Sequence, residues 1–217
     1  MNPVVQIPFV IRPDLLNRAL STIPRDLPVE LRISSPIGYP IPDIVRQENI
    51  SISEGRTEPF SQTMVYFQQR AVARNAGCWL FMHSDGFAQP EDFERIIAMA
   101  EDLTAKGEKW GIIFTHYDVL ACFNTAAIED IGGWDQAFAM YFFDNHNYRR
   151  LQLAGYKFYQ LENHSVIHGD GINGSHTINS DVHRRRRNEI TFPAYVQLYR
   201  EMWGGTPGEE TKKVPWE

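Results

Sequence analysis

Cysteine is scarce in this chain, with two among 217 residues, Cys78 and Cys122. They form no Cys-x-x-Cys pair, and two alone exclude a disulfide framework. Both lie in apolar stretches, Gly77-Cys78-Trp79-Leu80-Phe81 and Leu120-Ala121-Cys122-Phe123. They read as buried free thiols, which suits a reducing compartment. Long hydrophobic runs are also missing, and none is long enough to cross a bilayer. The start, Met1-Asn2-Pro3-Val4-Val5, has neither a basic stretch nor a long apolar one, so no signal peptide is expected. The expected location is the cytoplasm. Positive charge is in deficit, with 21 Lys and Arg against 27 Asp and Glu and a net charge of -6, so the chain as a whole is not a polyanion binder. One local exception is Arg184-Arg185-Arg186-Arg187, preceded by His183. That run reads as a solvated helix or loop face, with phosphate contact as its alternative. Internal repeats and low-complexity tracts are absent.

The length fits one domain, or one domain with a tail, and suffices to bury a real core. Aromatic residues make up 12% of the chain, which suits a site that stacks on the rings of a base or a sugar. Val4 to Ile11 reads as a first strand. Pro13-Asp14 opens a helix carrying Leu15, Leu16, Ala19, Leu20 and Ile23 at helical spacing. Val29 to Ser34 alternates apolar and polar as a second strand, Pro36 to Pro42 is a Pro-rich loop near the sheet edge, and Ile50 to Ile52 is a short third strand. Phe60 to Ala76 and Pro90 to Leu103 read as helices around a strand ending at His83-Ser84-Asp85 and a strand ending at Phe114. Strands alternating with helices in this way predict a mostly parallel sheet with helices on both faces. From Val119 to Ile131 the pattern is mixed. Phe143 to Ala154 reads as a helix stopped by Gly155, Tyr156 to Leu161 as a strand, and the stretch carrying His164, His168 and His176 as a loop. A helix is expected from about Asn188 to Trp203, and an irregular tail after it.

The most informative string is Trp79-Leu80-Phe81-Met82-His83-Ser84-Asp85-Gly86. It reads as a buried strand ending in a histidine and an aspartate spaced two apart. In open α/β sheets ligands bind beyond the carboxyl ends of strands, and a carboxylate there can hold a divalent cation that in turn holds a phosphate. Ser-Asp-Gly is also ordinary turn chemistry. Three further groups join it. Gly132-Gly133-Trp134-Asp135 is a tight turn with a large ring and a carboxylate. Asp144 stands at a helix start, where the helix dipole favours its ionised form, or where it serves simply as a cap. His168 precedes Gly169-Asp170-Gly171. Imidazole and carboxylate are both ligands for Mn²⁺-type ions.

These segments, in this order, resemble the GT-A-type glycosyltransferases of the broad family 2-like group, over nearly the whole chain. Gln6 to Leu16 is similar to that family's opening strand and helix. His83-Ser84-Asp85 stands where the family carries Asp-x-Asp. Asn124 to Ile128 with Ile131 to Asp135 resembles its acceptor-side segment. Asp144 to Leu151 with Ala154-Gly155-Tyr156 resembles the helix whose first acid is the catalytic base. Trp203 to Glu209 is similar to endings of phage and bacterial members. The sequence departs from the family pattern in His83 for the first acid, in Ser34-Ser35 where an aspartate usually grips the nucleoside, and in Phe143 before the single acid Asp144.

The resemblance implies an α/β, GT-A-like single domain over residues 1–217. A Rossmann-like nucleotide-sugar half would run to about residue 115, and an acceptor and catalytic half from there to about 203. It implies transfer of a hexosyl or pentosyl group from a nucleotide-diphosphate sugar, UDP foremost, to an acceptor hydroxyl with inversion. Pro8, Phe9, Arg12, Ser34, His83, Ser84 and Asp85 would bind the donor. Asp85 and His168 would hold Mn²⁺ or Mg²⁺, and Asp144 would be the base. Gly133, Trp134 and Asp135 would form the acceptor wall, with Trp134 stacking on a ring. The acceptor implied is a modified phage DNA base, a virion or other protein, or a glycan, in the host cytoplasm if the chain is phage-encoded. The alternatives are a catalytically impaired nucleotide-sugar-binding protein and another metal-dependent nucleotide-sugar enzyme, a hydrolase or a nucleotidyltransferase.

Overall fold

The computed structural model describes residues 1–35, 37, 48–169, 177 and 180–217. The loops expected around His176 and over Pro36 to Pro42, Ile37 excepted, lie outside the described residues.

Apolar strands and amphipathic helices alternate as the sequence pattern requires. In order they are β1 (Val5–Phe9), α1 (Pro13–Thr22), β2 (Val29–Ile33), β3 (Ile50–Glu54), α2 (Phe60–Ala73), β4 (Cys78–Met82), β5 (Gly86–Phe87), α3 (Pro90–Ala105), β6 (Trp110–Thr115), β7 (Tyr117–Asn124), α4 (Thr125–Asp130), α5 (Phe143–Leu153), β8 (Lys157–Gln160), β9 (Ile167–His168) and α6 (Val182–Trp203). Seven strands form one sheet in the order β3-β2-β1-β4-β7-β6-β8. All neighbours run parallel except at β7, which is antiparallel to both β4 and β6. The mixed stretch after Val119 thus resolves into a return strand and a short helix, which Asn124 caps by accepting from the Ala126 and Ala127 amides.

Alternation along the strands divides the core between the two faces. Val5, Ile7 and Phe9 of β1 and Cys78, Leu80 and Met82 of β4 pack with α1 and α3 on one side. Trp79 and Phe81 point the other way, into a cluster with Phe67, Phe123, Phe143, Tyr199 and Trp203. Cys78 and Cys122 are both buried and free, as expected. No helix among the described residues is long and apolar enough to cross a membrane.

Two expectations change here. Trp134 is not a surface ring. It is only 6% exposed and packs edge-on against Trp79 and Phe123, with Phe143 beside it. Burying so large an apolar ring is worth more than presenting it to a transient ligand. The turn around it braces α5. Gly132 and Gly133 take left-handed backbone, and a Cβ on Gly133 would sit 2.9 Å from the Gln68 amide that receives the Trp134 N–H. Arg150 donates to Gly133 O at 2.7 Å, and Asn147 accepts from the Asp135 amide and donates to its carbonyl at 2.8 and 3.0 Å. Trp134→Ala is expected to lower stability by about 3–5 kcal/mol, read from urea unfolding. A change below about 1 kcal/mol would mean the indole does not pack in this core.

The second change is the arginine run. Asp181 caps a helix that begins at Val182, six residues earlier than the periodicity suggests, so all four arginines are helical. A helix splits such a run between faces. Arg185, Arg186 and Arg187 are exposed and Arg184 is half-buried, but Arg184 and Arg187, three apart, both line a cleft that also holds His83 and Asp85. A uniformly solvated face does not describe this run.

Candidate active site

The site forms where strands end, because backbone carbonyls and amides beyond the last paired residue leave room for side chains to converge. β4 delivers His83, Ser84 and Asp85. The small β5–β9 pairing then brings a distant loop against them: Gly86 pairs with His168, and the Gly169 amide donates to Asp85 O at 2.8 Å. A Cβ at position 86 would lie 2.9 Å from Val119 Cγ1 and 3.1 Å from the His83 carbonyl, so a larger residue there would displace a neighbour.

Asp85 is 4% exposed. Its Oδ2 accepts from the Thr177 amide at 3.1 Å and the Thr177 hydroxyl at 2.9 Å. Its Oδ1 lies 3.3 Å from His168 Nε2 and 3.8 Å from His83 Nδ1. Burial works against its charge, but the His168 imidazole and the nearby His83 outweigh that and hold the carboxyl well below the usual carboxylate range. One ligand atom from each of His83, Asp85 and His168 lies within 4.8 Å of the others. His168 Nε2 is buried and, among the described residues, finds no well-aligned hydrogen-bond partner. Two imidazoles converging on one ionised carboxylate are a donor set for Mn²⁺-type ions.

His83 links this cluster to a second acid centre. Its Nε2 lies 3.5 Å from Asp118 Oδ1, and Tyr148 donates to Asp118 Oδ2 at 3.3 Å. Burial opposes a charge on His83, but Asp118, then Asp85 and Asp144, raise its pKa above the ordinary value. Asp118 itself is lowered, because His83 and Tyr148 overcome its burial. Asp144, in the first turn of α5, goes the other way. Burial and the charge of Asp118 raise it from 3.8 to about 6, against the pull of backbone amides. The helix-start position alone suggests a carboxylate kept ionised, and burial, with the neighbouring acid second, reverses that expectation. Two carboxylates whose surroundings push them apart are the usual arrangement for one structural charge and one proton acceptor.

Two adjoining clefts share His83, Phe60 and Met140 as walls. The first, about 260 Å³, holds Pro8, Ser34, Ser84, Asp85 and His168 with Arg184 and Arg187. The second, about 470 Å³, holds Asp118, Asp144 and Asn145. Asp85, His168 and Asp144, though far apart in sequence, therefore do converge. Other expected donor residues do not reach the first cleft. Phe9 is fully buried in the core, where β1 alternation points it. Arg12 takes left-handed backbone before α1 and pairs with Asp14 at 2.6 Å. Gly133 and Asp135 belong to the α5 brace, where Asp135 Oδ1 caps the Ala137 amide and lies 3.4 Å from His146 Nε2.

Several cleft residues escape a reading by motif: Glu58, Thr63, Thr177 and Asp118, while Arg184 and Arg187 belong to the run whose alternative reading is phosphate contact. Glu58 is held by Arg32 through two bonds of 2.8 Å and accepts from Thr63, whose hydroxyl also lies 3.0 Å from Ser34 Oγ. Asp118 carried a signal, being an acid at the head of the apolar strand Val119-Leu120-Ala121-Cys122-Phe123. Arg184 and Arg187 carried one in their spacing of three. Thr177 carried none.

No protein-family model and no curated protein matches the chain. Solved structures share its fold. Residues 1–349 of S. aureus TarS align at a TM-score of 0.57 and 11% identity, over 75% of this chain and 58% of that one. The same fragment in complex with UDP-GlcNAc aligns at 0.54 and 11% identity, over 75% and 56%. A cytidylyltransferase from Leptospira borgpetersenii aligns at 0.50 and 11% identity, over 75% and 76%. The chain thus spans less than two thirds of the TarS fragment. At this identity the likeness is one of fold: a GT-A-like α/β architecture with a mostly parallel seven-stranded sheet flanked by helices.

Proposed function

We propose that the protein is a glycosyltransferase that moves a sugar from a nucleotide-diphosphate sugar, a UDP-sugar foremost, to an acceptor hydroxyl with inversion. The observation that carries this reading is the pair of clefts meeting at His83. One is lined with cations and ligating groups, the other with a half-buried carboxylate whose pKa is raised to about 6. The structures of TarS in complex with UDP and with UDP-GlcNAc add support from the same fold.

Each residue has a task in that reaction. Pro8 and Ser34 border the nucleoside end of the first cleft. Arg184 and Arg187, from α6, line the same cleft as the His83-Asp85-His168 cluster and would bind the diphosphate there. Asp85 and His168, with His83, would hold Mn²⁺ or Mg²⁺, which when bound neutralises the departing diphosphate. Thr177 fixes the Asp85 carboxylate through its amide and hydroxyl. Asp144 takes the acceptor hydroxyl proton while that oxygen bonds to the anomeric carbon from the second cleft. The bond from that carbon to the diphosphate breaks on the opposite side, and the diphosphate leaves with the electron pair. One base acting in line gives inversion. The test is turnover of a UDP-sugar panel with and without Mn²⁺, with the products identified. Free UDP with the sugar on a new hydroxyl supports the reading.

The cytidylyltransferase neighbour favours a second reading, nucleotidyl transfer on the same sheet. Release of pyrophosphate from a nucleoside triphosphate would identify it. The two readings share the anion-binding face of α6. Arg187→Ala is expected to weaken UDP binding about tenfold, the equivalent of one charge-assisted hydrogen bond of about 1.5 kcal/mol. Arg186→Ala, one residue along and outside the cleft lining, should leave it unchanged. Calorimetry measures both, and equal effects would remove α6 from the donor site.

A further inference from the structure

A third space continues from the second cleft and has no part in the transfer step itself. It measures about 420 Å³, within the range of small-molecule sites, and its walls include Phe114, Tyr148 and His164. Tyr117, Asp118 and Asn145 line both it and the cleft that holds Asp144. The two spaces are thus one trough, with the proton acceptor toward one end.

The walls specify what the trough takes. Tyr117 sits at the irregular turn between β6 and β7 with φ 55°, left-handed backbone that a bulky residue rarely adopts, and its side chain is among the large hydrophobic groups left in solvent, at 69% exposure. Strained backbone that holds a ring in solvent at a cleft edge is a feature of ligand clamps. Phe114 and Tyr148 form a fixed edge-to-face pair with centroids 5.4 Å apart. Around the rings are groups that bond hydroxyls: the Asn145 amide, the Gln160 amide and the imidazoles of His116 and His164. The charge pattern points the same way. Neither part of the trough is lined by a lysine or an arginine among the described residues, and its carboxylates are Asp118 and Asp144. Arg184 and Arg187 lie on the donor side of His83. A polyanion entering the trough would meet these carboxylates and no lysine or arginine, and like charges across an interface cost several kcal/mol elsewhere. An uncharged pyranose meets what it needs, an apolar C–H face against aromatic rings and hydroxyls against amides and imidazoles.

We propose that this third space is an acceptor subsite for a neutral sugar ring, and hence that the acceptor is an uncharged oligosaccharide or glycan chain of at least two residues rather than a nucleic acid. The proposal rests on the glycosyl-transfer reading. It is tested by calorimetry on the whole chain with cellotriose, maltotriose, mannotriose and triacetylchitotriose, each against its own monosaccharide. A heparin tetrasaccharide and a DNA 12-mer are the anionic probes, and UDP is titrated into the same samples. At least one neutral trisaccharide is expected to bind ten times more tightly than its monosaccharide. Tyr117→Asn, which tolerates the left-handed backbone, and His164→Ala should each cut that affinity at least fivefold while UDP affinity stays at the wild-type value. The proposal fails if no trisaccharide gains over its monosaccharide, if the gain survives both substitutions, or if either anionic probe binds more tightly. Loss of UDP binding in the wild type with the trisaccharide gain intact would overturn the glycosyl-transfer reading and leave the sugar subsite standing.

Discussion

Asp144→Asn is expected to reduce sugar transfer by about 10³-fold, in line with the loss of a general base, while UDP affinity and the fold are kept. The asparagine side chain occupies the same volume in the first turn of α5, and the brace from Asn147 and Arg150 to the Gly132-Gly133-Trp134-Asp135 turn does not involve position 144. The pH dependence follows from the raised pKa. As a base Asp144 works only when ionised, so kcat/KM should rise with pH through an apparent pKa near 6 and level off above it. Stability should run in the opposite direction. The folded-state pKa of about 6 lies above the ordinary 3.8, so the fold favours the protonated acid. That contribution is fully present below pH 3.8 and is lost as pH rises through about 6. Asp144→Asn should therefore be more stable than the wild type at pH 7.5, by about 1 kcal/mol after allowing for partial solvent exposure, and equally stable at pH 3.5. Rate profiles and urea denaturation at the two pH values measure both effects. A variant that transfers sugar at the wild-type rate would remove Asp144 from the chemistry. A stability difference that does not change with pH would remove the account of its environment.

Asp85→Asn is expected to abolish the effect of Mn²⁺ on nucleotide affinity. In the wild type the cation should strengthen UDP binding, and the variant should lose at least about 100-fold of metal affinity, the upper range for disturbing even a supporting residue of such a site. The amide keeps one oxygen to accept from the Thr177 amide and hydroxyl, so the local fold has its partners. What goes is the negative charge between His83 and His168. Without it the two imidazoles face one another, with ring centroids 5.0 Å apart and no anion to hold a cation between them. Arg184 and Arg187 remain, so metal-free UDP binding should change less than about threefold, within the modest worth of a partly screened charge. Calorimetry with and without Mn²⁺ measures both quantities. Equal Mn²⁺ dependence in wild type and variant would dismiss the cation site, whereas loss of UDP binding in both conditions would point to Asp85 touching the nucleotide directly.

Much of this molecule was written locally. The period-two and period-3.6 patterns were enough for β1, α1, β2, α2, β4, α3 and β6, because each buries one face or stripe whichever partner it meets. The strand that ends at His83-Ser84-Asp85 and the acid that opens α5 were visible for the same reason, as polar groups at the ends of apolar elements. The tertiary structure alone decided what those groups do. Whether Trp134 faces solvent depends on Trp79, Phe123 and Phe143, which come from three other elements. The direction of the Asp144 pKa depends on its burial and then on Asp118, 26 positions away on an antiparallel strand whose reversal no local pattern announces. His168 reaches Asp85 only through the β5–β9 pairing, and the arginine run divides only once a helix fixes which residues share a face. Periodicity records which side of an element is apolar. It carries no information about distances between charges on different elements, and those distances set this site's chemistry.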